Sequence, residues 1–358
     1  MTAPDASGGG RSDPDRPDAS PIGGHHPPSI VDEFVEARGA TRVDASLPGD
    51  AEFALCLTHD VDRPYKGLPS LYYALRERPI YHTRTALSSA NPYWQFEAIA
   101  DLEADLGVRS AFYFLDEQHL LLDRPLSDWT SPTHWIEHLG RYDVESPDIA
   151  RAVRELDDGG WEIGLHGSYH SPEDEARLRE EKDRLESVLG DRIVGGRQHH
   201  LRLSFPETWR HHRSIGLRYD ASLGSGETIG FDYGYRPLRP FDDEFVAFSL
   251  TIMEQALPDP GQRYDAARDA CDEILREAAR NDAVATALWH PRYFDEREFP
   301  GYRRLYRWLV ERALELGAWV GSPRELYRWF ESGADLDRSD ESRRRRSRQS
   351  ISGGDRSR

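Results

Sequence analysis

Asp60 and Asp62 stand two residues apart at the end of an apolar run, Phe53 to His59. In extended chain that spacing puts both carboxylates on one face and His59 on the other. Two carboxylates so placed can divide labour, one holding a metal ion and the other taking a proton. A turn or capping pair ahead of Pro64 accounts for the same residues equally well on this segment alone. A second constellation, His166 and His170, follows another apolar run and precedes Ser171-Pro172-Glu173, a helix-start signal. Histidines at i and i+4, where strand turns into helix, can bring two imidazole nitrogens to one cation. One Asp with two His leaves coordination positions for water and substrate, the logic of a catalytic zinc rather than a structural one. With 14 histidines in the chain, His-x-x-x-His alone is a modest signal.

His290 ends a third apolar run and is followed by Pro291, which holds it at a rim. An imidazole with an ordinary pKa near ~6.5 can give or take a proton near neutrality. Its neighbour Trp289 can pack on a sugar face, or simply be core. Arg197 follows the run Ile193–Gly196, and its permanent charge can hold a catalytic carboxylate ionised. A surface ion pair is the competing reading of that arginine.

The elements that must position these groups alternate along the chain. Strand-like runs fall at Phe53–His59, Ser110–Leu115, Trp161–His166, Ile193–Gly196, Phe245–Ile252, Val284–His290 and Ala318–Val320. Amphipathic segments fall at Tyr93–Leu106, Ile149–Leu156, Glu175–Leu189, Ala266–Ala279 and Tyr302–Leu316. Within the Ala266 segment, Ala267, Ala270, Cys271, Ile274 and Ala278 follow the spacing of one helical face. Such alternation means βαβ units and a parallel sheet. Over roughly 300 residues, seven or eight units fit a distorted parallel (β/α) barrel better than an open sheet. The reactive residues then collect at strand ends, where barrels build their sites. Asp116 to Ser146 breaks the rhythm and is expected to be a long insertion loop carrying Trp129 and Trp135.

Composition narrows the function classes. The 358 residues carry 64 Asp+Glu against 46 Lys+Arg, a formal charge of −18, which argues against nucleic-acid binding and against an anionic membrane surface. Only Lys66 and Lys182 are lysines; an acidic, lysine-poor surface is that of a halophilic protein, although Arg-rich codon usage also explains the Arg/Lys ratio. Two cysteines, Cys56 and Cys271, cannot form a disulfide framework, and no stretch reaches the ~20 apolar residues of a membrane span. With no apolar leader at the N-terminus, the expectation is a cytoplasmic protein. Residues 1–30, including His25 and His26, and 333–358, including Arg343 to Arg346, read as disordered arm and tail around a domain over 31–332.

Taken together the motifs resemble the polysaccharide deacetylase family, the NodB-homology metal-dependent carbohydrate esterases, between roughly residues 50 and 325. The family's Thr-aromatic-Asp-Asp motif looks like Thr58-His59-Asp60-Val61-Asp62, its His-x-x-x-His falls on His166 and His170, its third-motif Arg on Arg197, and its Leu-x-His on Leu288-Trp289-His290. The resemblance implies a NodB-like barrel and a divalent metal, zinc first, on Asp62, His166 and His170. It implies Asp60 as base, His290 as general acid, and an N-acetylated carbohydrate as substrate. Three departures stand out. Leu201 replaces the Pro four places after Arg197, His59 replaces an aromatic, and Tyr219 to Gly224 occupies the place of a fourth motif. The partner of His290 and the oxyanion donor are therefore left open, with His200 and Arg202 as candidates over the pocket. Two alternatives remain at this stage: a non-catalytic glycan-binding relative, and a metal-dependent hydrolase of a non-sugar amide such as a ureide.

Overall fold

A computed structural model of the chain describes residues 28–66, 91–117, 119–122, 124, 126–241 and 243–332. The expected N-terminal arm up to residue 27, with His25 and His26, and the tail from 333, with Arg343 to Arg346, lie outside the described residues. The chain enters with helix α1 (Pro28–Arg38) and a short strand β1 (Thr41–Arg42), then β2 (Phe53–Val61), α2 (Phe96–Asp105) and β3 (Ala111–Leu115). There follow α3 (Pro132–Gly140), α4 (Pro147–Asp158), β4 (Glu162–Gly167), α5 (Glu175–Leu189), β5 (Gly195–Gln198), α6 (Glu207–Ser214) and β6 (Tyr219–Leu223). The last part holds β7 (Leu238–Arg239), β8 (Val246–Ser249), β9 (Ile252–Met253), α7 (Pro260–Arg280), β10 (Val284–Leu288), α8 (Tyr302–Glu315) and β11 (Ala318–Gly321).

These strands form one curled sheet in the order β1-β7-β8-β6-β5-β4-β3-β2-β10-β9, with β11 also on β2. Pairing is parallel from β8 to β9 along this path, and antiparallel only where β7 joins β1 and β8. The sheet curls because one apolar run serves both of its ends. Phe245–Ile252, expected as one strand, splits into β8, which pairs β6, and β9, which pairs β10. Between them Leu250 N donates to Leu223 O at 2.7 Å and Thr251 N to Thr286 O at 2.9 Å. The expected distorted (β/α) barrel is therefore the observed architecture.

β2 shows how the two layers divide. All nine of its residues are buried, as a central parallel strand requires. Phe53, Leu55, Leu57 and Val61 face outward against the helices, whereas Ala54 and Cys56 face the barrel interior. The two-residue period then carries Thr58 and Asp60 onto the inner face. That interior is filled by alternating sizes: the Tyr113 ring covers Gly164 and the Tyr219 ring covers Gly195, where any Cβ would collide. Outside, α4 buries Ile149, Ala150, Ala152, Val153 and Leu156, and α7 buries Ala267, Cys271, Ile274, Leu275 and Ala278. Both sets follow the helical spacing.

The insertion over 116–146 is not plain loop. It contains a 3₁₀ turn, Leu126–Thr130, and α3, which starts on Pro132 with the Ser131 hydroxyl accepting from His134 N. No helix among the described residues is long and apolar enough to cross a membrane.

Candidate active site

Residues at or just past the C-terminal ends of β2, β4, β5 and β10, namely Asp60, Asp62, His166, His199, Leu288 and His290, line one pocket of about 820 Å³. Asp60 ends the inward series of β2, and Asp62 follows one residue past the strand. His166 is the inward residue of β4 beyond Gly164. Arg197 comes from β5, and His199 from the turn that follows it.

Asp62, His166 and His199 each offer a ligand atom, and these atoms lie within 4.8 Å of one another. Among the described residues this is the trio with metal-holding geometry. His166 Nε2 lies 3.1 Å and His199 Nε2 3.9 Å from Asp62 Oδ1. The orientation of both rings is set from behind. His166 Nδ1 donates to the Arg197 carbonyl at 2.9 Å, and His199 Nδ1 faces Glu117 Oε2 at 3.3 Å. With Nδ1 carrying the hydrogen, the Nε2 lone pairs of the neutral rings point at Asp62, as in metal sites whose histidines are held by a carbonyl or carboxylate. Asp62 Oδ1 is buried and makes no hydrogen bond of good geometry despite these neighbours. Lone pairs meeting a buried carboxylate oxygen fit a divalent cation between them.

Charge around the trio is balanced locally. Burial pushes the Asp62 carboxyl up, but His290, His166 and His199 together hold it well below the usual range. Burial works against a charged His166, yet Asp60 and Asp62 raise its pKa. His199 is lowered by burial and by the adjacent His200, whose ring stacks on it at 4.1 Å. Glu117 is held low despite its burial by its contacts with His199 and Arg124.

Two further groups flank the trio. Asp60 Oδ1 accepts from Arg197 Nη1 at 2.8 Å, and the same guanidinium donates to Thr58 Oγ1 and, through Nε, to Ala221 O. Arg197 is thus buried inside the barrel on Asp60, not in a surface pair. His290 Nε2 lies 3.3 Å from Asp62 Oδ2, and its Nδ1 is 2.6 Å from Glu254 Oε1. Burial lowers His290, but Glu254 and Asp62 outweigh it and raise its pKa to about 10.

The structure keeps His170 out of this arrangement. The segment after β4 is a turn and a short 3₁₀ stretch, Ser171–Glu173, and the helix begins only at Glu175. His166 and His170 therefore share no helical face. His170 instead puts Nε2 2.7 Å from Asp128 of the insertion. His199 occupies the third place, a residue the sequence reading passed over beside His200. His59, on the outer face, meets Glu103 and the Trp289 carbonyl, and Trp289 is fully buried core packed on Tyr306 rather than a sugar platform. Glu254 and Glu117 were also missed. Both follow strand ends, after β9 and β3, which is the one signal they carried.

No family model matches the sequence, and no curated protein matches it. Solved structures do resemble its fold. A Mycobacterium smegmatis protein assigned as a polysaccharide deacetylase aligns over 82% of this chain and 96% of its own, with TM-score 0.53 and 16% identity. A Pseudomonas aeruginosa protein given the same assignment aligns over 80% and 93%, with TM-score 0.51 and 16% identity. The allantoinase Puue aligns over 80% and 92%, with TM-score 0.51 and 15% identity. The chain therefore has the polysaccharide deacetylase fold, the NodB-like distorted barrel.

Proposed function

We propose that the chain is a metal-dependent hydrolase of carbon–nitrogen bonds other than peptide bonds, removing the acetyl group from an N-acetylated sugar of a glycan or glycan precursor. The observation that carries this reading is that both proton-moving groups come with their own partners beside the Asp62–His166–His199 trio: Asp60 on Arg197, His290 on Glu254. A divalent ion held by that trio would polarise the amide carbonyl and make water a better nucleophile. Asp60, fixed by Arg197 and within 3.8 Å of His166 Nε2, takes the proton of the attacking water. His290, kept protonated by Glu254, gives a proton to the amine nitrogen as it leaves, without which C–N cleavage stalls. Arg197 contacts Asp60 rather than the pocket, so its part is to orient the base. A purely glycan-binding relative has no use for an oriented acid–base pair.

The second reading, a hydrolase of a non-sugar amide, is favoured by the likeness to an allantoinase fold at TM-score 0.51. One experiment separates the readings. Metal content is measured on the purified protein, followed by acetate release from N-acetylated sugars and ring opening of a cyclic ureide, all at high salt. Acetate release with a bound divalent ion supports the first reading, ureide turnover alone the second, and metal loading without turnover the binding relative.

A further inference from the structure

We infer that Tyr142 is a positioning residue of this site, its hydroxyl fixing the turn Asp60-Val61-Asp62 so that one carboxylate meets Arg197 and the other faces the two histidines. The inference rests on the metal-hydrolase reading for what those carboxylates do. Tyr142 stands between α3 and α4, where the insertion ends, and its buried side chain lines the same pocket as Asp60 and Asp62. Its hydroxyl donates to Val61 O at 2.7 Å and accepts from Leu115 N at 2.8 Å. Both partners lie at the end of the β2–β3 ladder, whose last pair is Val61 with Phe114. One side chain thus ties together the two strand ends from which Asp62 and the insertion depart.

Val61 is the residue between the two carboxylates. The peptide unit it forms with Asp62 is planar, so a hydrogen bond on Val61 O sets the plane from which the Asp62 Cα leaves. Asp60 is inside β2 and has Arg197 at 2.8 Å, whereas Asp62 lies in a bend past the last ladder pair. Asp62 Oδ1 makes no hydrogen bond of good geometry, so its place depends on the backbone beneath it and on His290 beside Oδ2. The anchor of Tyr142 is itself doubled. Arg184 of α5 donates to Asp143 Oδ1 at 2.9 Å and to Asp116 Oδ2 at 2.5 Å, the residues directly after Tyr142 and Leu115. Hydroxyl and guanidinium therefore bridge the same two stretches of chain side by side. Of the two, the hydroxyl is the one that reaches β2. Removing each in turn separates positioning of the carboxylates from tethering of the insertion.

The test compares two variants of the full chain, with zinc as the probe ion. Tyr142→Phe keeps the ring and removes the bridging oxygen, while Asp143→Ala removes one arm of the Arg184 bridge and leaves β2 untouched. Zinc affinity is read by chelator competition, kcat and KM by acetate release at zinc saturation, and folding by circular dichroism. In Tyr142→Phe zinc affinity should fall about tenfold or more, as when a group that orients a metal ligand is lost. Its kcat should also fall about tenfold or more, with KM little changed, because base and ligand lose their alignment. Asp143→Ala should keep zinc affinity and kcat within about threefold of the parent, as a surface substitution does. The parent supplies a second measurement that needs no variant. Coupling is reciprocal, so zinc should slow hydrogen exchange at Leu115 N about tenfold beyond any slowing in α7. Parent-like zinc affinity in folded Tyr142→Phe, an equal loss in Asp143→Ala, or no zinc effect at Leu115 N beyond that in α7 overturns the inference. When the parent turns over an acetamide, any of these results overturns it while leaving the hydrolase reading intact. Zinc affinity lost in Tyr142→Phe alone, with no turnover by the parent, leaves the positioning of Asp62 standing and rejects the sugar hydrolase. A parent that binds no zinc overturns both.

Discussion

His290–Glu254 and His59–Glu103 are both buried histidine–carboxylate pairs, at 2.6 and 2.9 Å, and both stand beside the same strand. On the inner side of the barrel, Glu254 takes Nδ1 of His290 and leaves Nε2 facing the pocket beside Asp62. On the outer side, His59 has both nitrogens taken, Nδ1 by the Trp289 carbonyl and Nε2 by Glu103. Glu103 in turn accepts from Tyr306 Oη at 2.5 Å and Trp161 Nε1 at 2.7 Å. One pair keeps a nitrogen for chemistry; the other spends every polar atom on joining β2 to α2, α8 and the end of β10. Residue type does not separate them. The face of the sheet does, because one side of β2 looks into a cleft and the other into packed helices.

The largest effect that can break this contrast is expected at the metal trio. His199→Ala or His166→Ala should lose the bound divalent ion and with it turnover, as read by metal analysis and acetate release, whereas His170→Ala should keep the metal. A protein that loses its ion on His170→Ala and not on His199→Ala would reverse the assignment of the third ligand. Next comes Asp60→Asn, which keeps shape and removes basicity. Turnover should fall ~10²–10⁴-fold with metal content retained, and unchanged turnover would reject Asp60 as base.

The paired carboxylates sharpen the comparison directly. Glu254→Gln should cost ~10²-fold in kcat, the low end for loss of general acid–base function. Glu103→Gln should do the opposite, destabilising the fold by ~1–3 kcal/mol through a mismatched buried network and changing kcat less than tenfold. Denaturant unfolding and steady-state kinetics on both variants would show whether the two faces are as separate as their geometry implies.

The smallest effect concerns the other end of the barrel interior. Glu162, buried on the inner face of β4, is pushed up to about 7 by its burial, against the pull of Arg324, and is hydrogen-bonded by Tyr219 and by Arg324 N. A carboxyl whose folded pKa exceeds its unfolded 4.5 binds its proton more tightly when folded. Its contribution to stability is therefore complete below about pH 4.5 and declines as pH rises through about 7. Glu162→Gln should flatten that part of the stability–pH curve, and an unchanged slope would count against the raised pKa.

The amino-acid sequence by itself determined the parallel alternation, the sharing of one face by Asp60 and Asp62, and the placing of Asp60, Arg197 and His290 at strand ends. These are consequences of local periodicity: a strand repeats every two residues, an amphipathic helix every 3.6, and both patterns survive without knowledge of neighbours. Trp289, which the sequence left open between sugar face and core, alternates with His290 and is buried on the helix side, against Tyr306.

Only the tertiary structure decided the rest. His199 rather than His170 joins the trio because both lie just past strand ends, where the period stops and turn geometry sets direction. Glu254 and Glu117 become partners of His290 and His199 across gaps of 36 and 82 residues, which no local pattern encodes. The division of Phe245–Ile252 into β8 and β9 is likewise invisible in a continuous apolar run. It appears only once the run passes from β6 to β10, Leu250 N donating to Leu223 O and Thr251 N to Thr286 O, and that change of partner carries the sheet round the site.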